Sequence, residues 1–445
     1  MHKKYILFIT VSLLCIAMTS VFAGTNTVNL NDALQLARKN NLNLKSNAID
    51  LKAAQRDIDT SWNLFLPSLS ATLSNVGGTA VFKASPVPSN PKAYQTGLGL
   101  GFSLSLTLNP AVKQQLESYN VVYSLKSLTY AQAQAELERS VTKTFYYLLM
   151  EAENLKLQKD NITLSEKQYE KVKTQFEAGF ASELQLLSAQ LGYEQLKPSF
   201  TQSQNSYDAT LLSFKVLLGL DLDEEIVIEG EIPSFIKDLD VDTLKTYLAN
   251  NYSLRLLDLN LASLENTKEL NTKSALMPTI TLQTKYDISS LFNSGSSSLS
   301  SSTPWSDSAT YTVALSIPID AHIPGSRTQV SLSKIQDSID QLAITKLQSR
   351  TSMEQSITTQ VNNLNMLLEQ LEVAAFNREL TERIFEMTTI QYESGYSGYL
   401  DVEEAQADLF KSDQSILALQ YQYISGLVDL LYDLNIDSNQ IRKEL

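Results

Sequence analysis

The chain has 445 residues, of which 19% are charged, and its formal net charge is −14 at pH 7. This length exceeds what one compact core usually holds, and the acidic balance argues against a nucleic-acid partner. With a single cysteine and two histidines the chain lacks the ligands for a zinc cluster, and no Gly-rich phosphate loop or nucleophile-elbow string occurs. We therefore expect no enzymatic activity, no cofactor and no metal.

The N-terminus has the pattern of an export signal. Lys3 and Lys4 precede an apolar run over residues 5–21, which is followed by small residues typical of a cleavage site. A membrane anchor and a lipid on Cys15 are the alternatives, but the run is short of ~20 strongly apolar residues and is interrupted by serine and threonine. We predict a signal peptide over residues 1–23.

The next elements are a helix and two strands. The helix is predicted over Asn31–Phe65, and the proline that follows ends it. The strands are predicted near Ser68–Asn75 and within Thr96–Pro110. In the second strand large apolar residues from Leu98 to Leu108 alternate with glycine, serine and threonine, which predicts one apolar face and one small polar face.

A very long helix follows the strands. No glycine or proline occurs from Ala111 to Ala178, which predicts a helix of roughly 100 Å at ~1.5 Å per residue. A glycine turn at Gly179 then reverses the chain, and a return helix is predicted over Ser182–Leu218. Apolar residues of the long helix follow the alternating steps of four and three that are typical of a coiled coil, at Val141, Phe145, Leu148, Ala152, Leu155, Ile162, Tyr169 and Phe176.

The same order of elements begins again after a linker, so the chain is duplicated. The second seam lies 216 residues after the first, as Ile357 follows Val141, and Gly395 follows Gly179 at the same offset. The second half is predicted to contain a helix over Asp242–Leu276, strands near Thr279–Ser289 and Ala309–Ile319, a long helix over Ser326–Ser394 and a return helix over Leu400–Leu434. Its seam consists of Ile357, Val361, Leu364, Leu368, Leu371, Ala375, Phe385 and Tyr392. The predicted divisions are the signal peptide, a first repeat at 24–220, a linker at 221–241 and a second repeat at 242–445.

The four strands have the length and alternation of strands in an outer-membrane barrel, with the apolar face toward lipid. Trp62 and Phe65 stand where an interfacial aromatic belt is expected. A soluble sheet that covers a core is the alternative, but the neighbouring helices carry apolar seams of their own. Four strands cannot close a barrel, and open edges in lipid leave backbone groups unpaired. Two chains would give a filled barrel of eight strands, and three would give twelve strands and a pore. The loops Gly78–Lys92 and Ser294–Ser308 would be external.

The order of elements, duplicated along the chain, resembles the TolC-like outer membrane efflux proteins. So do the opening string NNLNLKSNAIDLKAAQRDIDTSWNLFLPSLS and the two turn strings FEAGFASELQLLSAQ and YESGYSGYLDVEEAQ. The resemblance implies a mainly α fold with a small β part, in which a periplasmic tunnel of long helices joins a twelve-stranded barrel in the outer membrane. It further implies a homotrimer in contact with outer membrane lipid. Such a duct passively conducts substrates from a periplasmic adaptor (a membrane fusion protein) and an inner-membrane pump of the RND, ABC or MFS type.

The resemblance also implies site residues. An acidic ring at the periplasmic entrance maps to Asp401 and Glu404, and a constriction maps to Tyr392. The family's polar lock is incomplete, because its arginine position holds Ser397 and its aspartate position holds Gln185. The adaptor-docking positions map to Gly179, Phe180, Ala181, Gly395, Tyr396 and Ser397.

Two alternatives stay open at the level of sequence. The first is an outer membrane duct of a type I protein secretion system, since nothing in the residues separates small from protein cargo. The second is a periplasmic coiled-coil scaffold without a pore, against which the period-two strands argue.

Overall fold

A computed structural model of the chain describes residues 26–76, 95–232, 239–293 and 305–436. The predicted signal peptide, the predicted loop Gly78–Lys92 and most of the predicted loop Ser294–Ser308 lie outside these ranges. The helices are α1 (Leu30–Asn40), α2 (Leu42–Asp59), α3 (Val112–Glu177), α4 (Glu183–Leu218), α5 (Val241–Lys245), α6 (Tyr252–Leu276), α7 (Arg327–Glu393) and α8 (Tyr399–Leu434). The strands are β1 (Asn26–Val28), β2 (Ser68–Val76), β3 (Gln95–Leu108), β4 (Ile226–Ile228), β5 (Thr279–Asn293) and β6 (Ser306–Ser316). Among the helices in these ranges, none combines the length and the apolar character that crossing a membrane requires.

The two long helices are confirmed almost to the residue. α3 has 66 residues and α7 has 67, and each begins and ends one residue inside its predicted bounds. The start of each predicted seam is buried, as Phe145 and Leu148 in α3 and Val361 and Leu364 in α7 show, but Phe176 at the end of the first seam is exposed, against the prediction. At one position of α7 the prediction is wrong by one residue, since Ala374 is buried and Ala375 is exposed, whereas the predicted positions Phe385 and Tyr392 further along are half-buried.

The helices that begin each half are not continuous, and this part of the prediction is wrong. The helix predicted over Asn31–Phe65 breaks at Asn41, whose side chain accepts from the Leu44 N–H at 3.0 Å and donates to the Leu217 carbonyl at 3.2 Å. The helix predicted over Asp242–Leu276 breaks at Asn251, whose side chain donates to the Asp433 carbonyl at 2.7 Å. Each asparagine thus leaves the helix to satisfy a carbonyl at the end of a return helix, where carbonyls lack intrahelical partners.

The four predicted strands form one antiparallel sheet in the order β2-β3-β5-β6. The last strand was predicted near Ala309–Ile319 but is β6, which ends at Ser316; Pro318 lies just beyond, and proline cannot donate to a ladder. The register places the apolar residues of neighbouring strands on one face, as in the row Leu106, Leu282 and Val313. The other face carries small hydroxyl residues on β2 and β3, such as Ser70 and Ser103 with their hydroxyls 2.7 Å apart. On β5 the same face carries the ion pair of Lys285 and Asp287, with Nζ and Oδ2 2.9 Å apart.

The described residues fall into two compact units, and each unit draws on both halves of the chain. One comprises the described parts of 1–47, 130–252 and 351–445, and the other comprises those of 48–129 and 253–350. In the first unit β1 pairs in parallel with β4, a strand inside the segment predicted only as a linker. This pair joins a core that includes Val141, Phe145 and Phe214. The division into signal peptide, two repeats and linker stays a prediction.

Candidate functional site

The two hairpin turns have the same backbone geometry. Gly179 and Gly395 adopt φ values of 78° and 77°, in the left-handed region that glycine tolerates without a steric cost. In the first turn the N–H groups of Gly179 and Phe180 donate to carbonyls three and five residues back, at 2.9 and 2.8 Å. In the second turn Gly395 and Tyr396 repeat these bonds at 3.1 and 2.8 Å. Both turns are therefore Schellman motifs, which close the long helices and start the reversal.

The residue after each turn glycine is an exposed aromatic side chain. Phe180 is 87% exposed and Tyr396 is 88% exposed. In Schellman motifs an apolar side chain at this position frequently packs back on the helix. Ala181, by contrast, is half-buried in a contact with the neighbouring helices, and the Ser397 hydroxyl donates to the Gly398 carbonyl at 3.3 Å. The predicted docking positions thus lie together at the turns, with one aromatic ring of each hairpin in solvent.

The return helices begin with different chemistry. At the start of α4 Ser182 and Gln185 form a reciprocal capping box, so the Gln185 side chain serves its own helix. At the start of α8 the Gly398 N–H donates to the Asp401 carboxylate at 2.7 Å. Asp401 and Glu404 are both exposed, and a spacing of three places them on one side of α8. An acid in a first turn is also favoured by the helix dipole.

Tyr392, the predicted constriction, is engaged within its own chain. Its hydroxyl donates to the Gln175 side-chain oxygen at 2.8 Å, and its ring meets the ring of Tyr399 edge-on at 6.2 Å between centroids. Tyr399 is buried beside Val172 and Ala189. Tyr392 therefore takes part in a small core between the two hairpins.

Two titratable groups in this region, the Tyr399 hydroxyl and the Glu403 carboxyl, were not predicted from the sequence. Burial raises the pKa of Tyr399 to about 12, and the nearby carboxylate of Glu403 adds to the shift. Burial also raises the pKa of the Glu403 carboxyl. The Glu403 side chain lies over Gly192 of α4, where an added Cβ would stand 2.6 Å from the Glu403 Oε1. A glycine inside a helix is costly, so Gly192 was the available signal for a close approach.

A further contact that the sequence did not predict joins the ends of the long helices, where Lys171 Nζ of α3 lies 2.9 Å from Glu393 Oε1 of α7.

Throughout the described ranges we find no group of three or more histidine, cysteine or acidic residues placed to hold a metal ion.

Two long-helix hairpins and an antiparallel sheet with one apolar face thus make up a duplicated fold. The sequence profile of the outer membrane efflux proteins matches residues 33–220 and 243–432, and the chain belongs to this family. This membership confirms the predicted resemblance and the predicted localisation in the outer membrane with a periplasmic helical tunnel. Comparison with curated proteins finds no match.

Solved structures support the same fold. The chain is similar to CusC, with a TM-score of 0.72 and 17% identity over 94% of this chain and 96% of CusC. It is also similar to the CmeC outer membrane channel of Campylobacter jejuni, with a TM-score of 0.73 and 16% identity over 93% of this chain and 88% of CmeC. For the open state of the MtrE outer membrane channel of Neisseria gonorrhoeae the TM-score is 0.67 and the identity 15%, over 92% of this chain and 89% of MtrE. The predicted mainly α fold with a small β part is confirmed by these matches.

Proposed function

We propose that this protein is the passive exit duct of a tripartite efflux system. The observation that carries the proposal is the four-stranded sheet, which has an exposed apolar face and two open edges. Its edge strands are β2 and β6, and Tyr311 and Val313 of β6 are 78% and 77% exposed. A surface of this kind is stable in lipid only when the edges find partners, because lipid offers no hydrogen bonds.

Closure by identical sheets from three copies gives a barrel of twelve strands, which is wide enough for an aqueous lumen. The small hydroxyl and glycine residues of the opposite face would then line the lumen. We therefore propose a homotrimer, with the apolar face in contact with outer membrane lipid.

Two exposed apolar stripes on the helices of the first unit also support assembly from copies. Such stripes on different helices suit a head-to-tail contact, in which the α4 stripe of one copy packs on the α7 stripe of the next. Contacts of this kind form a ring when the rotation between successive copies closes. The α4 stripe consists of Leu184, Leu187 and Leu191, and the α7 stripe of Val373, Phe376, Leu380, Ile384, Met387 and Ile390.

The hairpin turns would form the periplasmic entrance of the duct. Three copies of Asp401 and Glu404 bring six carboxylates around one axis, which favours cations and opposes anions. Tyr392 would narrow the same entrance. The docking of a periplasmic adaptor is proposed at Gly179, Phe180, Ala181, Gly395, Tyr396 and Ser397, which include the two exposed aromatic rings.

The energy for transport would come from an inner-membrane pump of the RND, ABC or MFS type, since the duct itself only conducts. The test is purification from outer membrane fractions in detergent, followed by mass measurement and insertion into planar lipid bilayers. We expect a trimer that forms cation-selective channels. A chain that stays monomeric in detergent, or a trimer that conducts no ions, would refute the proposal.

A further inference from the structure

A pocket in the first unit lies between three helices, α3, α4 and α8. Its volume is about 390 Å³, and pockets that hold small molecules span about 300–1,000 Å³. The residues that line it are Arg139, Ser140, Lys143, Thr144, Tyr147, Thr210 and Tyr421. Neither the candidate site at the turns nor the proposed duct uses any of these residues.

The long helix α3 contributes most of the lining, in two rows that run along its axis. Arg139, Lys143 and Tyr147 follow one another at steps of four, and so do Ser140 and Thr144. Residues four apart lie on one face of a helix. The first row therefore places two cations and then an aromatic ring within about 12 Å, at ~1.5 Å per residue. The pocket is cationic at one end and aromatic at the other.

The aromatic end is completed by α8, and most hydroxyls of the pocket are unused. The ring of Tyr421 meets the ring of Tyr147 edge-on, with 5.3 Å between centroids. Among the hydroxyls of the lining, only that of Thr210 makes a hydrogen bond to a residue that the structure describes, the Ser206 carbonyl at 2.9 Å. The other hydroxyls can donate to a bound molecule.

The two cations are partly compensated, but their carboxylate partners do not line the pocket. Lys143 Nζ donates to Asp429 Oδ2 at 2.7 Å, and Arg139 Nη2 donates to Glu136 Oε1 at 2.6 Å. Arg139 Nη1 lies 3.7 Å from Asp429 Oδ1, which is too far for a hydrogen bond. Since an arginine has five N–H donors and a lysine three, both side chains keep donors for another acceptor. An anion in the pocket would be closer to the cations than to the carboxylates behind them.

The duplicated scaffold does not require this set of side chains. The matching positions of α7, 216 residues further along the chain, hold Gln355, Ser356, Thr359, Gln360 and Asn363. None of these residues is charged or aromatic. The cations and the ring are therefore particular to the first copy of the long helix, and the packing that both copies share does not explain them.

We propose that this pocket binds a small aromatic carboxylate. The carboxylate would accept hydrogen bonds from Arg139 and Lys143, and the ring of the ligand would pack against Tyr147 and Tyr421. Charge-assisted hydrogen bonds are stronger than neutral ones, and aromatic contacts add apolar area. An inorganic anion would leave the aromatic end unfilled. The proposal goes beyond the exit duct and does not depend on conduction, because one chain supplies the whole lining.

The test is binding of benzoate to the purified protein in detergent, followed by saturation-transfer NMR, with protein-free micelles as the background. We expect saturable binding that weakens as salt is added, because salt screens the attraction between charges. Benzamide has the same ring without the charge, so it should bind about tenfold more weakly.

Two variants probe the two ends of the pocket. Arg139→Gln removes one cation and leaves the Lys143–Asp429 bridge between α3 and α8 in place, and it should weaken benzoate binding by about tenfold. Tyr421→Phe keeps the ring and removes one hydroxyl, so it should weaken binding by about threefold. Lys156→Gln is the matched control and should bind as wild type does. It removes a cation of α3 that also pairs with a glutamate three residues earlier but lies outside the pocket.

Benzoate binding that neither variant weakens, or that benzamide matches, would overturn the site. Inorganic phosphate that displaces benzoate as well as unlabelled benzoate does, at equal ionic strength, would overturn the aromatic ligand. If Arg139→Gln does not fold, Tyr421→Phe decides. A protein that conducts ions but binds no benzoate would overturn the pocket alone, whereas one that binds benzoate through Arg139 but forms no channel would overturn the exit duct alone.

Discussion

The two hairpins have the same backbone conformation but differ in their side chains. Their turn glycines, their pairs of turn hydrogen bonds and the 36-residue length of their return helices agree. At the offset of 216 residues, however, Gln185, Leu187 and Ser188 of the first hairpin become Asp401, Glu403 and Glu404 in the second. The first return helix thus begins with a neutral cap and an apolar stripe, and the second with acids. The two copies thus keep one scaffold, while in the proposed trimer the side chains of the first copy would contact a neighbouring subunit and those of the second would supply the charge of the entrance.

The largest expected effect is loss of the proposed trimer, and it should follow from making the first hairpin resemble the second. Leu187→Asp places a charge in the middle of the α4 stripe, where a neighbouring subunit would bury it without a partner. A buried unpaired charge is very costly, so we expect the trimer to be lost and monomer to appear by mass measurement in detergent. Gln190→Asp is the control, because Gln190 is exposed on α4 outside the stripe. A Leu187→Asp protein that remains trimeric would remove the stripe from the interface.

A smaller effect, on ion selectivity, is expected from making the second hairpin resemble the first. Asp401→Gln with Glu404→Ser installs the residues of the matching positions and removes six carboxylates from the proposed trimer. Charged clefts raise the local concentration of counter-ions by an order of magnitude or more, so the cation-to-anion permeability ratio should fall by about tenfold. Reversal potentials in a salt gradient measure this ratio. Glu183→Gln, at the start of the first return helix, should leave it unchanged. An equal loss from both helices would contradict the proposed difference between the hairpins.

The smallest effect concerns Glu403 and pH. Burial raises the pKa of Glu403 above its value in the unfolded chain, so the folded chain binds this proton more tightly. The group therefore adds stability at low pH, which is lost as the pH rises from the ordinary carboxyl range through the raised pKa.

Glu403→Gln should remove this loss and stabilise the protein at pH 7 by under about 1 kcal/mol, because the site is partly solvated. Thermal unfolding at several pH values measures the difference, and the exposed Glu404→Gln provides the control. If Glu403→Gln and wild type lose stability equally between acid and neutral pH, the carboxylate carries no burial penalty.

The long helices and the strands could be predicted because their signals are local. Almost seventy residues without glycine or proline determine α3 and α7, and the period of two determines β3. The breaks at Asn41 and Asn251 could not be predicted in this way, because their cause is a carbonyl at the end of another helix. A strand of three residues such as β4 has no periodic signal at all.

The candidate site also has some features that local sequence signals predict and others that they do not. The turn glycines and the spacing of Asp401 and Glu404 follow from the sequence, since turn geometry and helix faces are local properties. The pairing of Lys171 with Glu393 and the burial of Glu403 depend on which helices pack together. The roles of the site residues stay predictions until the channel is measured.

The asparagine bonds have a consequence for the origin of the chain. Asn41 binds the end of α4 and Asn251 binds the end of α8, so each half fastens its own beginning to its own end. A protein of half this length would carry the complete fastening, and six copies of it would match three duplicated chains in the proposed trimer. Fusion of two such halves would need only a connecting segment, and it would free one member of every pair to change independently of the other.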